Sequence, residues 1–292
     1  MGEDIGVNGD RWNNKAISLL KEFHWEQIGD SNMDLTGTDD KAHGVDALLS
    51  CKDPNVNVPQ PIILESKFYS KDSLSANIVH KWIDILKNKI NTCKDSQKLH
   101  EKFPILDDCA SLNQGLIMCW IHDADSDAID KVHNYFETYN EKSGPSNKWG
   151  RIGFITNDKI LQLYAVCQIV KEKSLIYYYP SQIINGRTST YSKVLSVNYM
   201  FSDIILAKDL NNDKHKCIFY FGETDLRSLK LLHECLLLFQ YVVDGENLDI
   251  YCYSQGEEFR KIVNDIKEYY EGVEVNFRSI PKYDLTSEPE ID

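Results

Sequence analysis

Asp46, Glu65 and Lys67 are the residues of this chain whose types and spacing best suit chemistry on a phosphate ester. Glu65 and Lys67 are two positions apart, so their side chains share one face if this segment is a strand. Two carboxylates supply the hard oxygen ligands that Mg²⁺ prefers, and they leave coordination positions for water and phosphate. A lysine beside the cation could orient or help deprotonate an attacking water, or stabilise charge on the phosphate. The three residues therefore predict a metal-assisted hydrolytic site.

The same residues also fit a structural ion pair, because Asp, Glu and Lys are common and their spacing alone has little specificity. Their setting favours a functional site. Glu65 and Lys67 directly follow the apolar run Pro61-Ile-Ile-Leu64, which is typical of a buried strand. Charged side chains are rarely buried unless they are paired or bound to a metal.

Periodicity and turn residues predict the elements that must position these side chains. The order up to residue 121 is α-β-β-β-α-β, from a helix at 10–24, a strand and turn at 25–35, strands at 44–51 and 62–69, a helix at 73–93 and a strand at 115–121. If the strands at 44–51 and 62–69 form a hairpin, Asp46 comes to lie beside Glu65 and Lys67. The uninterrupted apolar run Gly115–Ile121 indicates a strand buried on both faces.

The segments Gly44-Val45-Asp46 and Ile62-Ile63-Leu64-Glu65-Ser66-Lys67 resemble the core motif of the PD-(D/E)xK nuclease superfamily, which has the restriction-endonuclease-like fold. The element order resembles that fold over residues 10–121. The resemblance implies a Mg²⁺-dependent phosphodiesterase, with Mn²⁺ able to substitute. It implies Asp46, Glu65 and the Ser66 backbone carbonyl as metal ligands, Lys67 near the attacking water, and Glu22 as a further ligand.

Two features depart from the family pattern: Val45 replaces the usual proline, and no Gln-x-x-x-Tyr follows Lys67. The chain also resembles nucleases of bacterial anti-phage systems, which are often encoded with a partner subunit. A non-catalytic subunit that keeps this fold to bind nucleic acid or protein is the alternative, and a scaffold with a buried Glu65–Lys67 pair is a further one.

The region after Lys67 is rich in lysine. Residues 66–102 contain eight lysines and four acidic residues, so this region could follow a phosphate backbone or could form a solvated helix face. The candidate nucleic-acid contacts are Tyr69, Lys71 and Asn77, which lie near Lys67 in the sequence, and Lys81, which lies in the lysine-rich predicted helix. The tyrosine-rich stretch 171–199 fits either single-strand binding or strand formation.

The remaining sequence predicts further α/β structure. Residues 216–277 alternate as β-α-β-α-β, which predicts a small parallel sheet with right-handed crossovers. We expect a nuclease-like domain at 1–145, a strand-rich extension or connector at 146–210 and a C-terminal α/β accessory domain at 211–292.

Composition and net charge limit the classes of function that the chain can have. The chain has 292 residues, 42% of them apolar, with a net charge of −13, which disfavours unaided non-specific DNA binding. The charge is uneven, at −3 for residues 1–102, −6 for 103–140, +5 for 141–200 and −9 for 201–292. We expect DNA as the partner, together with a second copy or a partner protein. The eight cysteines include no Cys-x-x-Cys motif, and no stretch suits a signal peptide or a membrane span, so the expected location is cytoplasmic.

Overall fold

A computed structural model describes residues 7–54, 56, 58–143, 151–180, 190–254 and 259–291. The chain divides into two compact units, which are residues 1–161 with 283–292, and residues 162–282. The first unit contains the predicted site.

The helices and strands that begin in the first unit follow one another in this order: α1 (Val7–Glu22), β1 (Glu26–Ile28), β2 (Met33–Thr36), β3 (Ala42–Val45), β4 (Ala47–Cys51), β5 (Gln60–Tyr69), α2 (Ala76–Cys93), α3 (Gln97–Lys102), β6 (Gln114–Ile121), α4 (Ser126–Ser143), β7 (Arg151–Ile155) and α5 (Asn157–Glu172). Helix α5 continues into the second unit. The predicted α-β-β-β-α-β core is confirmed within this series.

The first unit is built on a five-stranded sheet with strand order β1-β4-β5-β6-β7. Strand β4 pairs antiparallel with both β1 and β5, whereas β5, β6 and β7 run parallel. Helix α1 packs on one face, where the Trp12 and Trp120 rings lie 5.3 Å apart. The apolar stripe of α2 packs on the other face against Ile63 and Ile117. Strand β5 is therefore buried between two helices, which explains its nearly continuous burial.

Two predicted strands are each divided in the structure. The segment predicted at 25–35 as one strand and a turn contains two strands, β1 and β2, on either side of a turn where Gly29 and Asn32 have positive φ values of 74° and 54°. Strand β2 pairs with β3 in a separate two-stranded sheet. The strand predicted at 44–51 is interrupted at Asp46, between β3 and β4. At a bend, successive side chains no longer alternate between the two faces of a single strand. The hydrophobic pattern alone therefore did not locate the break at Asp46.

The second unit contains the end of α5 and these elements: β8 (Leu175–Tyr179), β9 (Thr190–Ser192), α6 (Val197–Met200), β10 (Ile204–Asp209), β11 (His215–Tyr220), α7 (Leu226–Leu238), β12 (Asn247–Cys252), α8 (Phe259–Lys267) and β13 (Glu274–Ser279). They form a six-stranded sheet with the order β13-β12-β11-β10-β8-β9.

The sheet of the second unit contains the predicted small parallel sheet. Strands β11, β12 and β13 are parallel, and α7 and α8 connect them. Strands β8 and β10, from the segment expected to be an extension or connector, continue this sheet antiparallel. Tyr177 and Tyr179 are buried in β8, which fits the strand interpretation of the tyrosine-rich stretch, while residues 181–189 of that stretch lie outside the described residues.

No described helix combines the length and apolar composition needed to cross a membrane.

Candidate active site

Asp46 occupies a bend that hydrogen bonds hold in place from three sides. Its backbone carbonyl accepts a bond of 2.9 Å from the Asn32 N–H and one of 3.4 Å from Asn13 Nδ2 on α1. Its carboxylate Oδ2 accepts bonds from Ser66 on β5, at 2.5 Å from the backbone N and 3.1 Å from Oγ. The antiparallel register pairs Ala47 with Leu64, so Asp46 lies at the level of the next residue, Glu65. The predicted juxtaposition of Asp46 with the Glu-x-Lys strand is therefore present.

Lys67 lies between the two acidic side chains. Its Nζ is 3.2 Å from Glu65 Oε2 and 3.8 Å from Asp46 Oδ2. The side chains of Glu65 and Lys67 are only 7% and 11% exposed, whereas that of Asp46 is 26% exposed. Glu65 and Lys67 extend from the same face of β5 because they are two residues apart. The cluster is thus largely buried, with Asp46 as the carboxylate most open to solvent.

Lys89 on α2 adds a second ammonium group to this cluster. Its Nζ forms a short hydrogen bond with Glu65 Oε1, and its side chain is 13% exposed. Glu65 thus contacts Lys67 through one oxygen and Lys89 through the other. The two carboxylates and two ammonium groups balance in formal charge, which is how buried charged groups are normally accommodated.

Gly115 on β6 allows α2 to lie close enough for the Lys89 contact. A methyl group at Gly115 would lie 2.7 Å from Leu86 Cδ2 and 3.0 Å from Ile90 Cδ1, on the residues that flank Lys89 in the helix. Gly115 pairs with Ile63, two residues before Glu65 on the adjacent strand. The absence of a side chain at Gly115 therefore permits the close packing of α2 on the sheet that carries the site.

The donor set suits a hard divalent cation. Asp46 and Glu65 offer carboxylate oxygens, and such oxygens are the protein ligands that Mg²⁺ prefers. In an extended strand the N–H and the C=O of one residue point to the same side of the strand. Because the Ser66 N–H donates to the Asp46 carboxylate, the Ser66 carbonyl also lies on the side of β5 that faces Asp46. A cation would replace the ammonium groups of Lys67 and Lys89 as the partner of Glu65.

Helix α1 presents Asn13, rather than Glu22, to Asp46. Asn13 is 3% exposed, and its Oδ1 accepts a hydrogen bond of 3.2 Å from Ser66 Oγ. Glu22 is the last residue of α1, nine residues after Asn13. At 100° and 1.5 Å per residue, this places Glu22 about 13 Å further along the axis and on the opposite side of the helix. The role of Glu22 as a metal ligand therefore gains no support from its position.

The candidate nucleic-acid contacts differ in their surroundings. Tyr69 is 8% exposed, and its ring packs on Trp82 with the centroids 4.9 Å apart. Lys71 is exposed and forms an ion pair of 2.8 Å with Asp125. Asn77 and Lys81 are exposed and lie one turn apart on α2. Of the four, Asn77 and Lys81 present their side chains to solvent most openly, and Tyr69 is largely a core residue.

Asn13 and Lys89 were not among the predicted site residues, although the sequence contains a signal for each. Asn13 is polar but lies between Trp12 and Ala16 on the apolar face of α1. Lys89 follows Trp82 and Leu86 along the side of α2 that packs on the sheet. A polar residue within the apolar stripe of an amphipathic helix indicates a buried partner. The sequence does not reveal that these partners are Ser66 and Glu65.

The αβββαβ core, with aspartate at a strand bend and Glu-x-Lys on the adjacent strand, defines a PD-(D/E)XK nuclease fold. A family model described as "GAPS4 protein PD-(D/E)XK nuclease domain" matches residues 1–159, more than half of the chain. The chain therefore belongs to this family. The resemblance to the superfamily and the predicted fold class are confirmed.

Other known proteins show little similarity to this chain. No curated protein matches the chain significantly. A solved structure described as "Crystal structure of Aa-Ago with externally-bound siRNA" has a TM-score of 0.22 and 10% sequence identity, over 87% of this chain and 40% of that one. This chain thus spans less than half the length of that protein, and a likeness this weak bears on neither fold nor function.

Proposed function

We propose that this protein is a Mg²⁺-dependent nuclease that hydrolyses phosphodiester bonds of DNA, within a bacterial defence or DNA-processing assembly. The observation that carries the proposal is the placement of Lys67 Nζ at 3.2 Å from Glu65 and 3.8 Å from Asp46. Membership of a PD-(D/E)XK nuclease domain family supports the reaction class.

The proposed roles follow from the contacts of each residue. A bound Mg²⁺ would activate water and stabilise the negative charge that develops on phosphate. Asp46 and Glu65 would hold the cation, and the Ser66 N–H and Oγ fix the orientation of the Asp46 carboxylate. Lys67, once released from Glu65, would orient the attacking water or donate a hydrogen bond to a phosphate oxygen. Mn²⁺ would substitute because it accepts the same oxygen ligands.

Binding of DNA would depend on more than this chain. The net charge of −13 opposes the approach of a polyanion, although residues 66–102 carry a local excess of lysine. Leu231, Leu237 and Leu238 on α7 are 59%, 52% and 83% exposed, and exposed apolar patches often mark interaction sites. Both observations support the proposal that a partner protein or a second copy completes the assembly.

A non-catalytic subunit is the second candidate, and the pairing of Glu65 with two lysines favours it. Glu65 is satisfied on both oxygens by Lys67 and Lys89 without any metal ion. A buried network of this kind could persist for stability after loss of catalysis. Such a subunit would bind nucleic acid or protein through the same fold.

Cleavage assays with matched variants test the proposal. The intact chain is incubated with supercoiled plasmid, single-stranded DNA and RNA, each with Mg²⁺, Mn²⁺ or EDTA. Cleavage of DNA is expected with metal, with loss in Asp46→Asn and retention in Asp40→Asn, whose carboxylate pairs with Lys98 at the surface.

Calorimetry separates the two candidates if the isolated chain cleaves nothing. Heat of Mg²⁺ or Mn²⁺ binding that is lost in Asp46→Asn supports a nuclease that needs its partner. The absence of metal binding in the wild type would contradict the nuclease proposal and support the non-catalytic subunit. Preferential cleavage of RNA would contradict the assignment of DNA alone.

A further inference from the structure

A second cluster of metal-ligand side chains lies in the other unit, on the sheet formed by β10, β11 and β12. His215 and Cys217 are two residues apart on β11, and Asp249 on β12 pairs in register with Cys217. One potential ligand atom from each residue lies within 4.8 Å of the other two. His215 Nε2 is 3.3 Å from Asp249 Oδ2 and 4.0 Å from Cys217 Sγ.

We infer that His215, Cys217 and Asp249 form a zinc site on this sheet, with three protein ligands and the fourth position left for water. A thiolate, an imidazole and a carboxylate are the ligand types of protein zinc sites, and the thiolate disfavours Mg²⁺ and Ca²⁺. Ligand atoms of a tetrahedral zinc site are separated by about 3.3–3.7 Å, as follows from bond lengths of about 2.0–2.3 Å. Small side-chain shifts would bring the three observed atoms to these separations.

Asp209 supplies the outer contact that zinc-binding histidines usually have. Its Oδ2 is 3.2 Å from His215 Nδ1, so it can accept a hydrogen bond from the N–H of that nitrogen and leave the lone pair of Nε2 directed toward Cys217 and Asp249. A carboxylate in this position orients the ring of a metal-ligating histidine and increases its basicity. Three strands thus contribute to the cluster, two with ligands and β10 with the orienting carboxylate.

The cluster is largely buried, but it retains a route by which the ion can enter. Cys217 is fully buried, and the Asp249 side chain is 3% exposed. The next pair along the strands, Phe219 and Tyr251, stacks with ring centroids 5.3 Å apart and closes one side of the cluster. The His215 side chain is 21% exposed, so a cation can reach Nε2 from that side.

Binding requires the exchange of protons for zinc. Zn²⁺ would displace the thiol proton of Cys217 and any proton on His215 Nε2, so uptake releases protons to solvent. Arg278 Nε donates a hydrogen bond of 2.6 Å to Asp249 Oδ2, the same oxygen that lies 3.3 Å from His215 Nε2, and it balances the charge of that carboxylate.

Metal analysis of the intact chain tests this inference. Wild-type protein purified without chelator should contain about one zinc ion per chain, and replacement by Co²⁺ should produce the absorption band of a cobalt–thiolate bond. His215→Gln and Cys217→Ser should lose the metal, and Asp209→Asn should bind it about 10–100-fold more weakly. His215→Gln decides the outcome if Cys217→Ser does not fold.

Two control variants test whether the zinc belongs to this cluster. Cys252→Ser removes a buried thiol from the opposite face of β12 and should retain zinc. Asp46→Asn should also retain zinc, which distinguishes this cluster from the candidate active site. A wild-type chain without zinc and without the cobalt–thiolate band would overturn the inference, leaving His215 as an ion-pair partner of Asp209 and Asp249. Equal zinc content in wild type and His215→Gln would overturn it as well.

Discussion

Lys89 on α2 and Glu65 on β5 form an ion pair across the interface between a helix and the sheet, 24 residues apart in the chain. Both side chains are largely buried, and Glu65 contacts Lys67 through its other oxygen. One carboxylate thus contacts two ammonium groups, and Asp46 supplies the second negative charge of the cluster. This arrangement links the stability of the first unit to the chemistry proposed for its site.

Replacement of Glu65 should destabilise the fold. In Glu65→Gln, Lys67 and Lys89 lose their common carboxylate, and breaking a buried pair by removing one partner costs about 3–5 kcal/mol. Chemical unfolding of Glu65→Gln should therefore show a lower free energy of unfolding. The double variant Glu65→Gln/Lys89→Met should lose less than the sum of the two single variants because the pair is coupled. Additive losses would show that the two residues do not interact.

Removal of Lys89 should strengthen metal binding at the proposed site. Its ammonium group occupies one oxygen of Glu65 and repels a cation there. Lys89→Met should bind Mg²⁺ about tenfold more tightly, since removing a charge at this distance changes the energy by more than about 1 kcal/mol. Calorimetric titration measures the change. Lys87→Met is the matched control, because Lys87 contacts Tyr139 instead. Equal affinities in all three proteins would contradict competition between Lys89 and the metal.

A methyl group at Gly115 should move α2 away from the sheet. The added Cβ would lie 2.7 Å from Leu86, which is closer than side chains pack. Overpacking of a core typically costs about 1–3 kcal/mol. Gly115→Ala should unfold at lower denaturant concentration and should also weaken the Lys89–Glu65 coupling in the double-mutant cycle. Unchanged stability and coupling would indicate that the helix adjusts without loss of the contact.

The pair His133–Asp158 predicts a pH dependence of stability. The hydrogen bond to Asp158, at 3.5 Å, raises the pKa of His133 above its ordinary value of 6.5. A raised pKa means that charged His133 stabilises the fold fully below pH 6.5, and that this contribution is lost as the pH rises through the folded-state pKa.

Thermal unfolding over the pH range from about 5 to 9 measures this contribution. Both side chains are about one-third exposed, so solvent screening limits the effect to about 0.5–1 kcal/mol. The melting temperature of the wild type should decrease by this contribution as the pH rises from acid to alkaline. His133→Gln should not show that part of the decrease. Parallel profiles for the two proteins would show that the pair contributes nothing measurable.

The sequence by itself determined the local features of the site and most of the core. Strand alternation places Glu65 and Lys67 on one face, and the apolar runs around them fix β5 and β6 as buried strands. The resemblance to PD-(D/E)XK nucleases depends on short segments near Asp46 and Glu65 and on the order of the elements predicted over residues 10–121. These features depend on neighbours along the chain, so they can be read without knowledge of packing.

Tertiary structure alone decided which distant residues complete each cluster. Lys89 reaches Glu65 because α2 packs closely on the sheet, where Gly115 leaves room for Leu86 and Ile90. In the second unit, the register of β11 and β12 brings Asp249 beside His215 and Cys217, which are the only two of the three that share a strand. Such contacts depend on how a helix is rotated against the sheet and on how neighbouring strands are aligned. Packing between distant segments sets both, and the hydrophobic periodicity of one segment contains no information about its partner.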